Sequence, residues 1–190
     1  MCVGMKANKE LVGNLIILLA GKCRPLYLTK LLKLLFLIDE EAVKRTGAPI
    51  TWLSYQAWQF GPVVEDIFHS KNAGHNRFNE FVAFRNIQDN KCIIDPVAEF
   101  DDSEFSDLDL EIINDVFEKY GLLNTSELVK IVHAKNSLWH TTIEREGIQF
   151  SEDNKTSEIE LDFTEQIKDD FKKTVYYSTL ENMEIKSTLR

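Results

Sequence analysis

Leu11, Leu15, Leu18 and Leu19, with Ile16 and Ile17 between them, cover most of the circumference of a helix over residues 8–22. So wide an apolar stripe predicts a helix buried on most of its sides. Gly21 and Pro25 end it. A second helix is predicted over 28–45, with Thr29 as its cap and an apolar face of Leu31, Leu32, Leu34, Leu35, Leu37, Ile38 and Val43. Gly47 and Pro49 stop that helix. Residues 51–60 are β-branched and aromatic and read as a strand. Pro62 suits the first turn of a short helix that ends at Phe68. The polar stretch 69–79 is a loop. Segments 81–87 and 91–94 flank Gln88-Asp89-Asn90 and predict a β-hairpin, which joins strand 51–60 in one small antiparallel sheet.

Further on, Leu108, Ile112, Ile113, Val116, Phe117 and Tyr120 line one face of a helix over 107–120, opened by a capping-box pair, Ser106 and Asp109, and closed by Gly121. Another helix starts near Thr125 and reaches Ala134 or beyond, with Leu128, Ile131 and Val132 turned inward. Residues 139–147 continue as helix or turn, and 151–160 read as a polar surface loop. A last helix begins at Thr164, with Ile167, Phe171 and Val175 at helical spacing. The expected fold class is α+β: a predominantly helical single domain over residues 1–177 with a small antiparallel sheet, followed by a loosely held tail over 178–190. The length, 190 residues, is enough to bury one good core.

Charge changes the picture locally. The formal net charge is −9, but residues 1–50 carry eight basic and four acidic side chains, whereas 89–130 carry three basic and twelve acidic ones. Such a chain does not hold duplex DNA through its overall field; a basic partner suits it better. Lys22, Arg24, Lys30, Lys33, Lys44 and Arg45 make the N-terminal helices basic, which is first of all a solvated face. Binding to its own promoter is the weaker reading, because no helix-turn-helix spacing with polar recognition residues is present.

The three cysteines, Cys2, Cys23 and Cys92, match no metal or redox spacing and point to a reducing, cytoplasmic setting. Lys6 and Lys9 before the Leu11–Ala20 run imitate an export signal, but Asn14 interrupts the run and a second apolar helix follows at once. Nor is the run long enough to span a bilayer. His69, His75, His133 and His140 form no metal-ligand pattern. No cofactor and no metal are expected.

The densest pattern lies between Lys30 and Phe68, where an apolar helix meets a Thr-Gly-Ala-Pro break and then an aromatic segment ending in Phe60-Gly61-Pro62-Val63. It contains no nucleophile beside a base and no phosphate loop. Trp58 reads as a core anchor, with Gly61 and Pro62 making a tight turn. His133 on an apolar helix face, six residues before Trp139, reads as a core histidine satisfied by a backbone carbonyl; as a general base it would need an orienting partner that the sequence does not flag.

These residues resemble the Panacea antitoxin domain. The resemblance rests on Lys33, Leu34, Leu35 and Phe36; on Thr46, Gly47 and Pro49; on Ala57, Trp58, Gly61, Pro62 and Val63; and on His133 and Trp139. It covers roughly residues 8–147, with Val132 and Leu138 standing where the family has Thr and Pro. It implies an antitoxin without catalytic residues, which binds a cognate protein toxin and occludes it, alone, as a homodimer or as a hetero-oligomer with the toxin. The toxins paired with the family include nucleotide-transferring enzymes that block translation. An alternative is an adaptor that delivers its partner to a protease, using Glu181 to Arg190 as a handle. An unrecognised enzyme is a third.

For the contact itself, the sequence offers an acidic tract, Glu99 to Glu118, free of basic residues and interleaved with Phe100 and Phe105. Asp101, Asp102, Glu104 and Phe105 are the candidate toxin-binding residues, since acidic–aromatic surfaces steer encounter with a basic protein.

Overall fold

The computed structural model describes residues 7–72, 74–88 and 91–188. Cys2, Lys6, the Asp89 and Asn90 turn residues and the last two positions of the tail lie outside them. Helix α1 spans Lys9–Lys22 and α2 spans Leu28–Thr46, with a two-residue strand β1, Leu26–Tyr27, between them. Strands β2 (Gln56–Trp58) and β3 (Gly61–Val63) lead to the short helix α3 (Glu65–His69). The hairpin β4 (Val82–Asn86) and β5 (Cys92–Pro96) follows. Helices α4 (Asp107–Tyr120), α5 (Thr125–Val132) and α6 (Leu138–Glu146), a 3-10 turn (Phe163–Gln166) and α7 (Asp170–Thr188) complete the chain. The class is α+β and predominantly helical, as the hydrophobic pattern predicts.

Helix α2 is the centre of the molecule. Leu31, Leu32, Leu34, Leu35, Phe36, Leu37, Ile38 and Val43 are all buried, and they point in every direction around its axis. Against it pack α4, α5, β1, β3, β5 and the 3-10 turn. Phe36, Tyr55 and Phe163 form an aromatic knot on one side, with ring centroids 5.5–5.8 Å apart. Such contact geometry adds to what area burial alone supplies.

Several expectations are corrected. The sheet is split in two: one has strand order β1-β5-β4, the other is the separate pair β2-β3. Residues 51–55 join no ladder, and Trp52 among them takes φ 54°; the Thr51 and Tyr55 side chains turn to α2. The buried Asp39 carboxylate accepts from the Thr51 N–H at 2.8 Å, the Tyr55 hydroxyl at 2.7 Å and the Thr51 hydroxyl. Pro62 opens no helix; it lies in β3 opposite Ala57. Helix α2 starts at Leu28 as expected, but Tyr27 holds the cap position with no side-chain cap bond, and Thr29 does not cap it. Segment 151–160 is the exposed loop expected, but it is tied down: Ala57 N–H donates to the Ile159 carbonyl, and Leu161 N–H to that of Tyr55, so the chain lies along the outer edge of β2. Helix α7 continues through Thr188, beyond Ser178.

Other expectations match the structure. The Ser106–Asp109 capping box opens α4, and Gly47 ends α2 in the left-handed region at φ 91°.

Leu35 tests the centrality of α2. Leu35→Ala should lower unfolding free energy by about 2–5 kcal/mol, as for other fully buried leucines, read from denaturant midpoints at constant slope.

Candidate functional site

The sequence-marked residues meet on one face of α2. Lys33 stands among leucines at 0% exposure, so the solvated face expected of the N-terminal cations does not include it. Its Nζ donates to the Pro62 carbonyl at 2.8 Å, the only acceptor it has among the described residues. No carboxylate offsets the loss of water, and burial alone lowers its pKa from 10.5 to about 7. The other cations are spent on the surface: Lys44 on Glu40, Arg45 on Glu41 and Asp115, and Lys30 on the Gly121 carbonyl.

Above Lys33 lies the β2–β3 turn. Gly61 takes φ 95°, and a Cβ there would meet Val132 Cγ2 at 2.7 Å and Lys33 Cε at 3.1 Å. Both the backbone sign and the space therefore demand glycine. The other arm of the turn is held from α6: Trp139 Nε1 donates to the Trp58 carbonyl at 2.9 Å. Trp139 is buried and stacks on His133, with ring centroids 3.8 Å apart and planes 5° apart. His133 closes α5. Burial first, then the Lys33 and His140 charges, lower its pKa to about 4, so the imidazole is neutral at neutral pH. Its Nε2 is buried without a hydrogen-bond partner among the described residues, so the carbonyl contact expected of a core histidine is missing at that atom. Lys33, Trp58, Gly61, Pro62, His133 and Trp139 thus form one cluster, which clamps a hairpin onto three helices. Leu34 and Leu35 serve the core around it. The cluster holds no hydroxyl or thiol for a base to activate.

The clamped hairpin forms one side of a cleft of about 950 Å3. Leu32, Lys33 and Val63 line its floor, Glu65, Phe68 and His69 of α3 one wall, and residues 155–158 and Glu160 another. Trp58 is half-buried: it packs against the core as expected, and its ring, which meets Phe68 edge-on at 4.9 Å, also walls the cleft. Trp58 Nε1 donates to Gln56 Oε1, and Gln56 Nε2 in turn to Glu65 Oε2. Phe60, at the tip of the turn, is 58% exposed.

The acidic tract lies elsewhere, against the start of α1. The Asp101 N–H donates to Asn14 Oδ1, and its carboxylate accepts from the Ser103 N–H, which lowers its pKa. Glu104 accepts from Asn8 Nδ2 at 2.6 Å. Asp102 is exposed, and Phe105 is half-buried beside Phe100. Asp109 serves the α4 cap, while Glu111 and Asp115 meet Arg45. Half of this tract therefore has work within the fold. It is not brought to the motif cluster.

Nothing in the sequence joins residues 155–160 to Lys33, Trp58 and Val63 in one cleft, although Glu158 and Glu160 alternate with Ile159 and Leu161 as they would along a strand edge. A lone lysine in the run Leu31–Leu35 was the sign that Lys33 is buried.

Comparison with protein families matches residues 31–140 to the family described as "Antitoxin SocA-like, Panacea domain". The chain belongs to this family. No curated protein and no solved structure matches it. The matched span runs from the first turn of α2 into α6 and takes in every residue of the cluster. Membership supports a toxin–antitoxin-type role with a protein as partner. Among the described residues, no helix is long and apolar enough to cross a membrane.

The Lys33 amine carries a pH signature. Its folded-state pKa lies below its unfolded one, so the unfolded chain holds more protons between pH 7 and 10, and stability rises with pH across that window. Unfolding free energy should climb by about 3–4 kcal/mol from this residue as pH goes from 7 to 10. Lys33→Met should remove the climb, as read from urea titrations at the two pH values. Gly61→Ala should cost about 1–3 kcal/mol through its left-handed backbone alone, measured the same way.

Proposed function

We propose that this Panacea-domain protein is an antitoxin that neutralises a cognate protein toxin in the cytoplasm by binding it directly and covering its working surface. Family membership supports the class. The observation that carries the mechanism is the cluster itself: its polar groups are turned inward onto backbone carbonyls and stacked rings, while the hairpin it holds presents aromatic side chains outward. Lys33 is sealed and His133 is neutral, and neither has a substrate-facing partner. Binding, rather than turnover, is what such an arrangement does. A rigid display of Phe60 and Trp58 costs little ordering entropy when a partner arrives. Aromatic anchors within a charged rim are the usual source of interface energy. A complete interface of standard size spreads well beyond the cleft.

The test is expression of the adjacent reading frame with and without this chain. Growth should stop when the neighbour is expressed alone and recover when both are present, and the two proteins should co-purify. Arrest that persists beside abundant soluble chain would contradict the proposal. Removing residues 181–190 should leave the rescue intact, because occlusion needs no degradation handle; rescue lost on that deletion, with the partner then accumulating, would favour the protease-adaptor mechanism.

A further inference from the structure

The cleft has a charge pattern of its own. Gln56 and Trp58 alternate along β2, and Thr156, Glu158 and Glu160 alternate along the segment beside it, so side chains from both line the same recess. Glu158 and Glu160 are exposed and have no basic partner among the described residues. Glu65 adds a third carboxylate from the opposite wall, where the His69 imidazole lies 3.6 Å away. Opposing them are Lys155 at one end and Lys71, which sits 3.7 Å over the outer face of Phe68. Lys33 contributes no positive surface, since its amine is turned down onto Pro62. Between the carboxylates lie the rings of Trp58, Phe60 and Phe68. An anionic ligand such as RNA meets repulsion from three glutamates here. An apolar side chain with a neighbouring cation meets none.

We propose that this cleft is the docking site for a segment of the partner carrying an aromatic or long aliphatic side chain followed by lysine or arginine. The proposal rests on the toxin-binding reading above for the partner's identity, but not for its chemistry. The apolar side chain packs onto the touching Trp58 and Phe68 rings, beside Phe60. The cation reaches Glu158 and Glu160, which are not committed within the fold. The acidic tract is the poorer dock: Glu104, Asp109, Glu111 and Asp115 are already engaged.

Two fluorescein-labelled peptides test this by anisotropy with the full chain: acetyl-Leu-Phe-Arg-Lys-Leu-amide and its acidic counterpart acetyl-Leu-Phe-Glu-Glu-Leu-amide. The basic peptide should bind at least about tenfold more tightly than the acidic one, and more weakly as salt rises. Glu158→Lys with Glu160→Lys, and separately Phe60→Ala, should each weaken the basic peptide about tenfold or more. Asp101→Lys with Asp102→Lys should leave it within about twofold. All these side chains are exposed; unchanged thermal melts are expected of the cleft variants and serve as the folding control, while Asp101→Lys also removes the bond from the Ser103 N–H. Absence of binding by either peptide, equal binding of both, or indifference to the cleft substitutions overturns the proposal. The same variants enter the growth assay. Peptide binding at the cleft without any neutralisation would sink the antitoxin reading and keep the dock. Neutralisation that survives both cleft variants would sink the dock and keep the antitoxin.

Discussion

A helix at the centre of a core has to satisfy whatever polar groups it buries, and α2 buries two. Lys33 and Asp39 lie six residues apart, each at 0% exposure, and they do not pair with each other. Each instead captures a stretch of the chain between α2 and α3. Asp39 gathers the 51–55 segment through Thr51 and Tyr55, and desolvation raises its pKa to about 6 despite those hydrogen bonds. Lys33 takes the Pro62 carbonyl. An unpaired buried charge is destabilising, and what it supplies in return is position: the chain between α2 and α3 has few backbone partners of its own and is pinned at both ends by this helix.

That constraint explains how a two-stranded hairpin of three-residue strands holds its shape. Short isolated hairpins are marginal in water. This one is clamped from below by Lys33, from behind by Val132 against Gly61, from α6 by the Trp139 indole, and along its outer edge by residues 155–161. The Trp139 ring is itself fixed between His133 and Phe150. Phe60 can stay exposed at the tip because everything beneath it is rigid. The display surface and the buried charge are two ends of one arrangement.

Much of this was legible in the sequence, and the parts that were not share a cause. Periodicity located α1, α2, α4 and the β4–β5 hairpin, because each buries a face whose spacing is written in the residues themselves. The Ser106–Asp109 cap was legible for the same local reason. Residues 51–60 read as one strand because β-branched and aromatic composition reports burial, and here the burial is against α2 rather than in a ladder. Pro62 misled because its fixed φ suits a strand opposite Ala57 as well as a helix start. The acidic tract drew attention because charge can be counted along a chain, whereas its internal partners, Asn8, Asn14 and Arg45, are distant in sequence. The cleft was invisible because its walls come from residues about a hundred positions apart, joined only when segment 155–161 docks on β2.

The account depends on Lys33 being sealed and unpaired beneath the Gly61-Pro62 turn. Selective labelling of lysine side chains, with the Lys33 resonance assigned by its loss in Lys33→Met, allows its protonation to be followed directly by NMR. The account predicts a titration midpoint near 7, far from the ordinary lysine value of 10.5. A midpoint at the ordinary value, shared with the surface lysines, would mean that the amine reaches water and that the hairpin is held by something else.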